Sequence, residues 1–202
     1  GVKFTAIFSD AFSESKRLTM EALGAEVIVI PSNGKGISPA LIKEMRAVAY
    51  EKVEQLSGFY ANQFGSTNVV LGYQAMGLEI ANQIEGKVDL LCGSVGTGGA
   101  LMGTLDGLNN ENQYPNVVAF EPSQSPFLTT GVGGSHKVEG VGVGFYPPFL
   151  DSSRLNQFMA VDQNQAFEMR KTLAKKHGIF CGTSTGINVA GAIKLAKELG
   201  PN

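Results

Sequence analysis

The sequence predicts an α/β fold built on a parallel β-sheet. Short apolar runs rich in β-branched residues alternate with segments whose apolar residues recur at helical spacing, an order typical of strand–helix–strand units. Glycine-rich turns follow two of the apolar runs, at SVGTGGA (94–100) and CGTSTG (181–186), where a strand would lead into a helix. A chain of 202 residues with 43% hydrophobic content can bury a substantial core around such a sheet.

The first strand–helix–strand unit is expected within the first 31 residues. KFTAIF (3–8) predicts a strand, and Ser13 can cap a helix that stops near Gly24. The run AEVIVIP (25–31) predicts a second strand, because it is β-branched and closed by proline.

The remaining elements continue the alternation. A helix is expected from about Pro39 to Leu56, because proline in a first turn lacks only an N–H that would be unpaired there. FYANQF (59–64) predicts a short strand or extended segment. Further helices are expected at about 69–83, up to about 108, from about 163 to 177 and at 186–199, with strands at 88–93, 116–122 and 157–162. Residues 123–154 lack periodicity and hold six glycines and three prolines, which in a long connection often indicates a functional segment.

Composition and charge exclude several classes of partner. The net charge is −2, only 17% of residues are charged, and no stretch concentrates lysine and arginine, so nucleic acids and anionic membranes are not expected partners. No apolar run approaches the roughly 20 residues of a membrane span, and the N-terminus lacks signal-peptide features, which predicts a cytoplasmic protein. Cys92 and Cys181 have no CxxC spacing and no nearby histidine, so they predict buried free thiols and no metal site.

The loop SVGTGGA has the features of a phosphate-binding turn. A parallel strand that leads into a helix presents unpaired N–H groups and the positive end of the helix dipole, and Thr97 adds a hydroxyl donor. A tight turn needed only for packing is the simpler alternative. No lysine follows Gly99 as in a P-loop, and the GxGxxG spacing fails at Leu101, although Glu121 at the end of the next strand keeps dinucleotide binding open.

The second glycine-bordered turn, CGTSTG, places Ser184 near the carboxyl end of the sheet. Its neutral hydroxyl suits a hydrogen bond to a ring nitrogen, and no base is evident that would make it a nucleophile. The alternative is structural, with Ser184 or Thr185 as the N-cap of the last helix.

Taken together, the motifs resemble those of a known group of pyridoxal-phosphate (PLP) enzymes, the cysteine synthase and cystathionine β-synthase group. The similarity runs from about residue 1 to 195 and is carried, in chain order, by SESKRLTMEALGAEVIVIP, FYANQF, MGLEI, VDLLCGSVGTGGALMG, VVAFEPSQSPFL, HKVEGVGVGFYPPFLD and GIFCGTSTG. The resemblance implies a three-layer parallel-sheet PLP fold type II, similar to tryptophan synthase β. It also implies a smaller mobile domain that includes 1–35, a larger PLP-binding domain from 36 to 202, and a homodimer.

The resemblance also implies roles for individual residues. The phosphate of PLP would be bound by the loop residues Gly96, Thr97, Gly98, Gly99 and Ala100. Ser184 would bind the pyridine nitrogen without protonating it. The amino-acid substrate would be bound by Gln63, which matches a glutamine at the substrate carboxylate, and by the closing loop Gly140, Val141 and Gly142.

Departures from the group's pattern limit what this chain is expected to do alone. Ala100 replaces a common threonine, and GSTN (65–68) replaces the usual NPxN. The Schiff-base lysine and the asparagine loop of the group have no counterpart, since no lysine follows an NPTGS-like run, and no catalytic residue is assigned. The chain is therefore interpreted as a fragment, incomplete at both ends and inactive by itself.

The implied reaction of the parent enzyme is the synthesis of cysteine from O-acetylserine and sulfide. Three alternatives stay open at this point. They are a cystathionine β-synthase or another PLP-dependent β-eliminase, a non-catalytic module that binds phosphate or PLP, and a dinucleotide-binding dehydrogenase.

Overall fold

A computed structural model describes residues 1–200, which form parallel strands connected by helices. The elements in chain order are β1 (Thr5–Ser9), α1 (Glu14–Ala22), β2 (Glu26–Ile30), α2 (Pro39–Leu56), α3 (Asn68–Gln83), β3 (Leu90–Ser94), α4 (Gly99–Asn110), β4 (Asn116–Pro122), α5 (Phe127–Thr130), a 3-10 turn (Ser152–Arg154), β5 (Gln157–Val161), α6 (Gln163–His177) and α7 (Thr183–Leu199). Within the described residues, no helix combines the length and the apolar character needed to cross a bilayer.

The first of two compact units contains Gly1–Ala61 and Ser135–Lys137. Its strands β1 and β2 pair in parallel, with Thr5 opposite Glu26 at one end and Ser9 opposite Ile30 at the other. Helix α2 begins where predicted, because Ser38 Oγ accepts the N–H of Leu41 at 3.3 Å and Pro39 occupies the first turn. Since α2 packs on β1 and β2, this unit extends past residue 35. The domain boundary after residue 35 remains a prediction about the whole protein.

The second unit contains Asn62–Gly134 and residues 138–200, and it is built on the parallel sheet β3-β4-β5. Successive residues of the central strand β4 face opposite sides of the sheet. Val118 and Phe120 pack with residues of α6 and α7, including Ile187, whereas Val117 and Ala119 pack with α4. Helices therefore cover both faces of the sheet, and the predicted α/β fold with a parallel sheet is confirmed.

Helices α3 and α4 pack unusually close together because glycines form their contact. A Cβ built on Gly103 would lie 2.3 Å from the carbonyl oxygen of Val70, and one on Gly107 would lie 2.1 Å from that of Gln74. Gly77 of α3 is equally tight against the backbone of α4, where its Cβ would meet Thr104 O at 2.2 Å. No side chain larger than hydrogen fits at these positions without moving a helix.

Thr104, in the same contact, has a buried hydroxyl without a partner among the described residues. The residue is 2% exposed, and its Oγ1 makes no hydrogen bond. We expect Thr104→Val to raise the free energy of unfolding by about 1 kcal/mol, because it replaces an unsatisfied hydroxyl with a methyl group of the same shape. Urea denaturation measures the change. Thr104→Ser keeps the hydroxyl and loses the methyl, so a stabilised serine variant would contradict this explanation.

Some elements differ from the sequence-based prediction. The last helix begins at Thr183 rather than near residue 186. Of the two alternatives for FYANQF, the strand is not formed, because residues 59–62 have no regular secondary structure and a turn follows at 63–65. The aperiodic stretch 123–154 contains α5 and the 3-10 turn, which are too short to show a period in the sequence.

Candidate functional site

The predicted phosphate loop leaves the sheet at the carboxyl end of β3. The N–H of Val95 still bonds to Phe120 O of β4 at 3.0 Å, and the chain then turns away through Gly96 and Thr97. Helix α4 starts at Gly99, with Gly98 as its N-cap at a φ of +86°, a conformation that favours glycine. The loop therefore joins a strand end to a helix N-terminus, as the sequence predicted.

The loop presents several N–H groups without a hydrogen-bond acceptor. Within residues 1–200, the backbone N–H groups of Gly96, Thr97, Gly98 and Ala100 bond to no protein atom, and that of Gly99 bonds to Thr97 Oγ1 at 3.2 Å. Gly98 is buried, and a buried N–H without an acceptor is rare in native proteins. Together with the positive end of the α4 dipole, these donors favour a dianionic group such as a phosphate.

The loop glycines are required by contacts within the protein. A Cβ on Gly96 would lie 2.3 Å from Gly140 O, and one on Gly98 would lie 2.6 Å from the backbone nitrogen of Leu150. At Gly99 the Cβ would meet the side chain of Val69 at 2.4 Å. The packing alternative thus accounts for the glycines, while the unpaired N–H groups remain as the feature that suits an anion.

The segment predicted to close over the site lies directly against the loop. Gly142 N–H bonds to Val95 O at 3.1 Å, and Phe149 N–H bonds to Thr97 O at 3.1 Å. Gly140 and Gly142 have φ values of +83° and +62°. The side chain of Val141 is 6% exposed and belongs to the hydrophobic core, so only its backbone can line a site.

Gln63 lies in an exposed turn, and a ring contact joins this turn to the chain that follows the closing segment 140–142. The turn at 63–65 carries Phe64, whose ring lies 5.7 Å from that of Phe145. Phe145 directly follows Gly144, three residues after the end of the closing segment 140–142. The structure thus brings the turn with Gln63 beside the closing segment, and the substrate-binding role of Gln63 remains a prediction.

Ser184 does not cap the last helix. Helix α7 begins at Thr183, its N-cap is Gly182, and no side chain caps it. The Ser184 hydroxyl is half-buried and makes no hydrogen bond within the described residues, whereas Thr183 Oγ1 accepts from Arg170 at 3.1 Å. The capping interpretation of Ser184 or Thr185 is therefore wrong, and the Ser184 hydroxyl is available for a ligand.

Glu121, which kept dinucleotide binding open, has a structural role. Its carboxylate is 1% exposed and accepts the N–H groups of Leu128 and Thr129 at 2.7 and 2.8 Å and the Thr129 hydroxyl at 2.8 Å. Both oxygens are occupied by the first turn of α5. The carboxylate is therefore not available to a ribose, and the observation that favoured a dinucleotide is removed.

Both cysteines are free thiols and half-buried. Burial raises the pKa of the Cys92 thiol, which lies on β3 against the core. A raised pKa keeps the thiol neutral at pH 7, so Cys92 is suited to packing rather than to nucleophilic chemistry.

Asn188 contacts the strand end that leads into the glycine loop, and sequence reasoning missed it. Its Oδ1 accepts the N–H of Ser94, the last residue of β3, at 2.7 Å. One feature of the sequence could have indicated it, since Asn188 is a single amide residue among small and apolar residues, one helical turn after Ser184.

These features define a class of protein, an α/β fold with an anion-binding turn at the carboxyl end of a parallel sheet and an uncharged hydroxyl on a neighbouring helix. The family model described as pyridoxal-phosphate dependent enzyme matches residues 1–202, so the chain belongs to that family. The residues present fit the cofactor, since the free N–H groups suit its phosphate and the free Ser184 hydroxyl suits its ring nitrogen.

Relatives identified by sequence and by structure belong to the group that the motifs indicated. The chain is 36% identical to a cysteine synthase of Staphylococcus aureus (strain Mu50) over 204 residues, which is 99% of this chain and 63% of the relative. An O-ureido-L-serine synthase structure is 28% identical with a TM-score of 0.86, covering 98% of this chain and 61% of that one. An O-acetylserine-dependent cystathionine β-synthase of Helicobacter pylori is 29% identical with a TM-score of 0.79, covering 97% and 63%. The chain thus spans less than two thirds of these relatives.

Proposed function

We propose that this chain is the main cofactor-binding part of a PLP-dependent β-replacement enzyme, and that the whole protein makes cysteine from O-acetylserine and sulfide. The observation that carries the proposal is the set of unpaired N–H groups at Gly96, Thr97, Gly98 and Ala100, at the start of α4. Bound PLP withdraws electrons from an amino-acid substrate, so that a β-substituent can leave and be replaced.

Each part of the site has a separate task in this proposal. The glycine loop holds the phosphate through backbone donors, and the Thr97 hydroxyl, which accepts from Gly99, donates to a phosphate oxygen. Ser184 donates to the ring nitrogen. Because its hydroxyl is neutral, it does not stabilise a full positive charge on the ring, which suits elimination and replacement at the β-carbon. Gln63 and the backbone of Gly140–Gly142 orient the substrate carboxylate and exclude water.

The proposal also covers the nucleophile that replaces the β-substituent and the oligomeric state of the whole protein. The named products of the relatives, cysteine, O-ureido-L-serine and cystathionine, differ in the nucleophile that is added to a serine-derived carbon. We take sulfide as the nucleophile that is added, because the relative that is identical at 36% of positions is a cysteine synthase. We also propose that the whole protein works as a homodimer in the cytoplasm. Product analysis on the whole protein with O-acetylserine and either sulfide or homocysteine tests the acceptor.

Binding of the phosphate group is testable on the 202-residue chain. Pyridoxine 5′-phosphate and pyridoxine have no aldehyde to react with surface lysines, and they differ only in the phosphate. We expect the phosphate ester to bind at least about tenfold more tightly in isothermal titration calorimetry, because charge-assisted hydrogen bonds to the loop are made by the ester alone. Equal affinities for the two compounds would contradict the proposal.

Thr97→Val is expected to weaken binding of the ester about tenfold and to leave pyridoxine binding unchanged. Valine has the shape of threonine but neither accepts from Gly99 nor donates to a phosphate. Thr172→Val, on α6, is the matched control, and we expect no change in affinity. An equal loss for pyridoxine would mean that Thr97 shapes the whole site rather than the phosphate subsite.

The chain by itself is expected to make no cysteine, since none of its lysines follows an NPTGS-like run. An assay of the chain with PLP, O-acetylserine and sulfide, with cysteine as the readout, tests this expectation. Turnover at an enzymatic rate would contradict it and would identify one of the lysines present as catalytic.

A further inference from the structure

The N–H of Ser94 points away from the rest of the sheet at the place where the glycine loop begins. In a parallel ladder, alternate residues of a strand donate to the same neighbour. Val95 donates to Phe120 of β4, so the N–H of Ser94 is directed to the opposite edge of β3. There it donates to Asn188 Oδ1 at 2.7 Å, a short and well-formed bond.

Asn188 connects this strand end to the helix that carries Ser184. The two residues are four positions apart on α7, so their side chains lie on the same side of the helix. One helix thus provides both the acceptor for Ser94, two residues before Gly96, and the free hydroxyl of Ser184.

Helix α7 has little freedom to shift relative to its neighbours in this unit. A Cβ built on Gly191 would lie 2.5 Å from the ring of Phe120 on β4, and one on Gly186 would lie 2.1 Å from the carbonyl oxygen of Ala166 on α6. Such close backbone approach means that the helix is already seated against both elements. Within residues 1–200, the side-chain hydrogen bond that joins α7 to β3 is the one that Asn188 accepts from Ser94, so this bond positions the end of β3 against a helix that is already fixed.

We propose that Asn188 is a positioning residue that fixes the spacing between the glycine loop and the Ser184 hydroxyl. The inference rests on the proposed function, in which the loop binds the phosphate and Ser184 the ring nitrogen of one cofactor. A ligand held at both ends gains from its second contact only when the two anchors match its length, and errors of about 0.5 Å already matter. Asn188 acts through Ser94 and touches no ligand atom itself.

Three probes separate spacing from other effects. Inorganic phosphate reports on the loop, pyridoxine reports on the ring subsite, and pyridoxine 5′-phosphate engages both. We expect Asn188→Ala to weaken binding of the ester about tenfold and to change the affinities of the two smaller probes by less than about twofold. Asn82→Ala, an exposed asparagine on α3, is the matched control and is expected to change none of the three.

Two further variants keep the test decisive. Asn188→Asp retains an oxygen acceptor, so it is expected to restore the ratio of ester affinity to phosphate affinity, while its added charge lowers both affinities together. Asn188→Gln keeps the amide but moves it outward by one methylene group, and it is expected to lower the ester affinity even if the alanine variant does not fold. In combination with Ser184→Ala, the loss caused by Asn188→Ala is expected to disappear, because the ring anchor is already gone.

Several results would overturn the inference. A parallel loss for inorganic phosphate would show that Asn188 shapes the loop itself, and unchanged ester binding in both the alanine and glutamine variants would show that the bond does not set the spacing. Additive losses with Ser184→Ala would also contradict it. Failure of the proposed function has a different signature, because the unmodified chain would then bind the ester no better than pyridoxine.

Discussion

Gly107→Ala is expected to lower the free energy of unfolding by about 3 kcal/mol. The added Cβ would lie 2.1 Å from Gln74 O and 2.9 Å from Gly77 Cα, and both neighbours are backbone atoms that cannot rotate away. Helices α3 and α4 would have to separate, which would expose the core beneath α4. Urea denaturation followed by circular dichroism measures the loss.

Gly72→Ala is the matched control on the partner helix. A Cβ at Gly72 has no atom within 4 Å, so alanine gains helix propensity without a clash, and we expect a stabilisation of roughly 0.5–1 kcal/mol. The same chemical change is thus expected to have opposite signs at the two positions. If Gly107→Ala were as well tolerated as Gly72→Ala, the close crossing of α3 and α4 would be contradicted.

Gly96→Ala is expected to reduce the affinity for pyridoxine 5′-phosphate by at least about tenfold. The new Cβ would lie 2.3 Å from Gly140 O, so the glycine loop and the segment 140–142 would be pushed apart. Displacing the loop by a fraction of an ångström misplaces donors whose hydrogen bonds to phosphate depend on both distance and angle. Calorimetric titration with the ester and with inorganic phosphate is expected to show a loss for both.

Gly93→Ala tests the same change three residues earlier, on β3. Its Cβ would meet only the side chain of Leu101 at 3.8 Å, an ordinary contact, so the affinities are expected to stay unchanged. A comparable loss at Gly93 would indicate that any substitution near the end of β3 disturbs binding. That result would remove the specific argument for Gly96.

Repeating patterns in the sequence were sufficient to predict the class of fold. Strand β4 was predicted with its observed ends, 116–122, and helix α2 with its observed ends, 39–56, because apolar periodicity and proline placement are local signals. The start of α7 was predicted three residues late, since Gly182 is an N-cap without a side-chain bond and leaves no capping residue to read.

In the candidate site, too, the features that depend on neighbouring residues could be predicted and those that depend on distant residues could not. The glycine loop could be predicted because a strand, several glycines and a helix follow one another directly in the chain. Glu121 was misread, because the sequence does not show that its carboxylate is occupied by the first turn of α5, seven residues further on. Asn188 was missed, because its partner Ser94 lies 94 residues away.

By itself the sequence determined the order of strands and helices, the parallel sheet, and the place where backbone donors would be left free, since all of these depend on neighbouring residues. Only the tertiary structure decided which polar groups near the glycine loop already have hydrogen-bond partners within the protein. Glu121 has its partners, whereas Ser184 and four loop N–H groups have none within the described residues. The physical reason is that hydrogen-bond satisfaction depends on distance in space, and contacts between distant segments are set by packing rather than by local sequence.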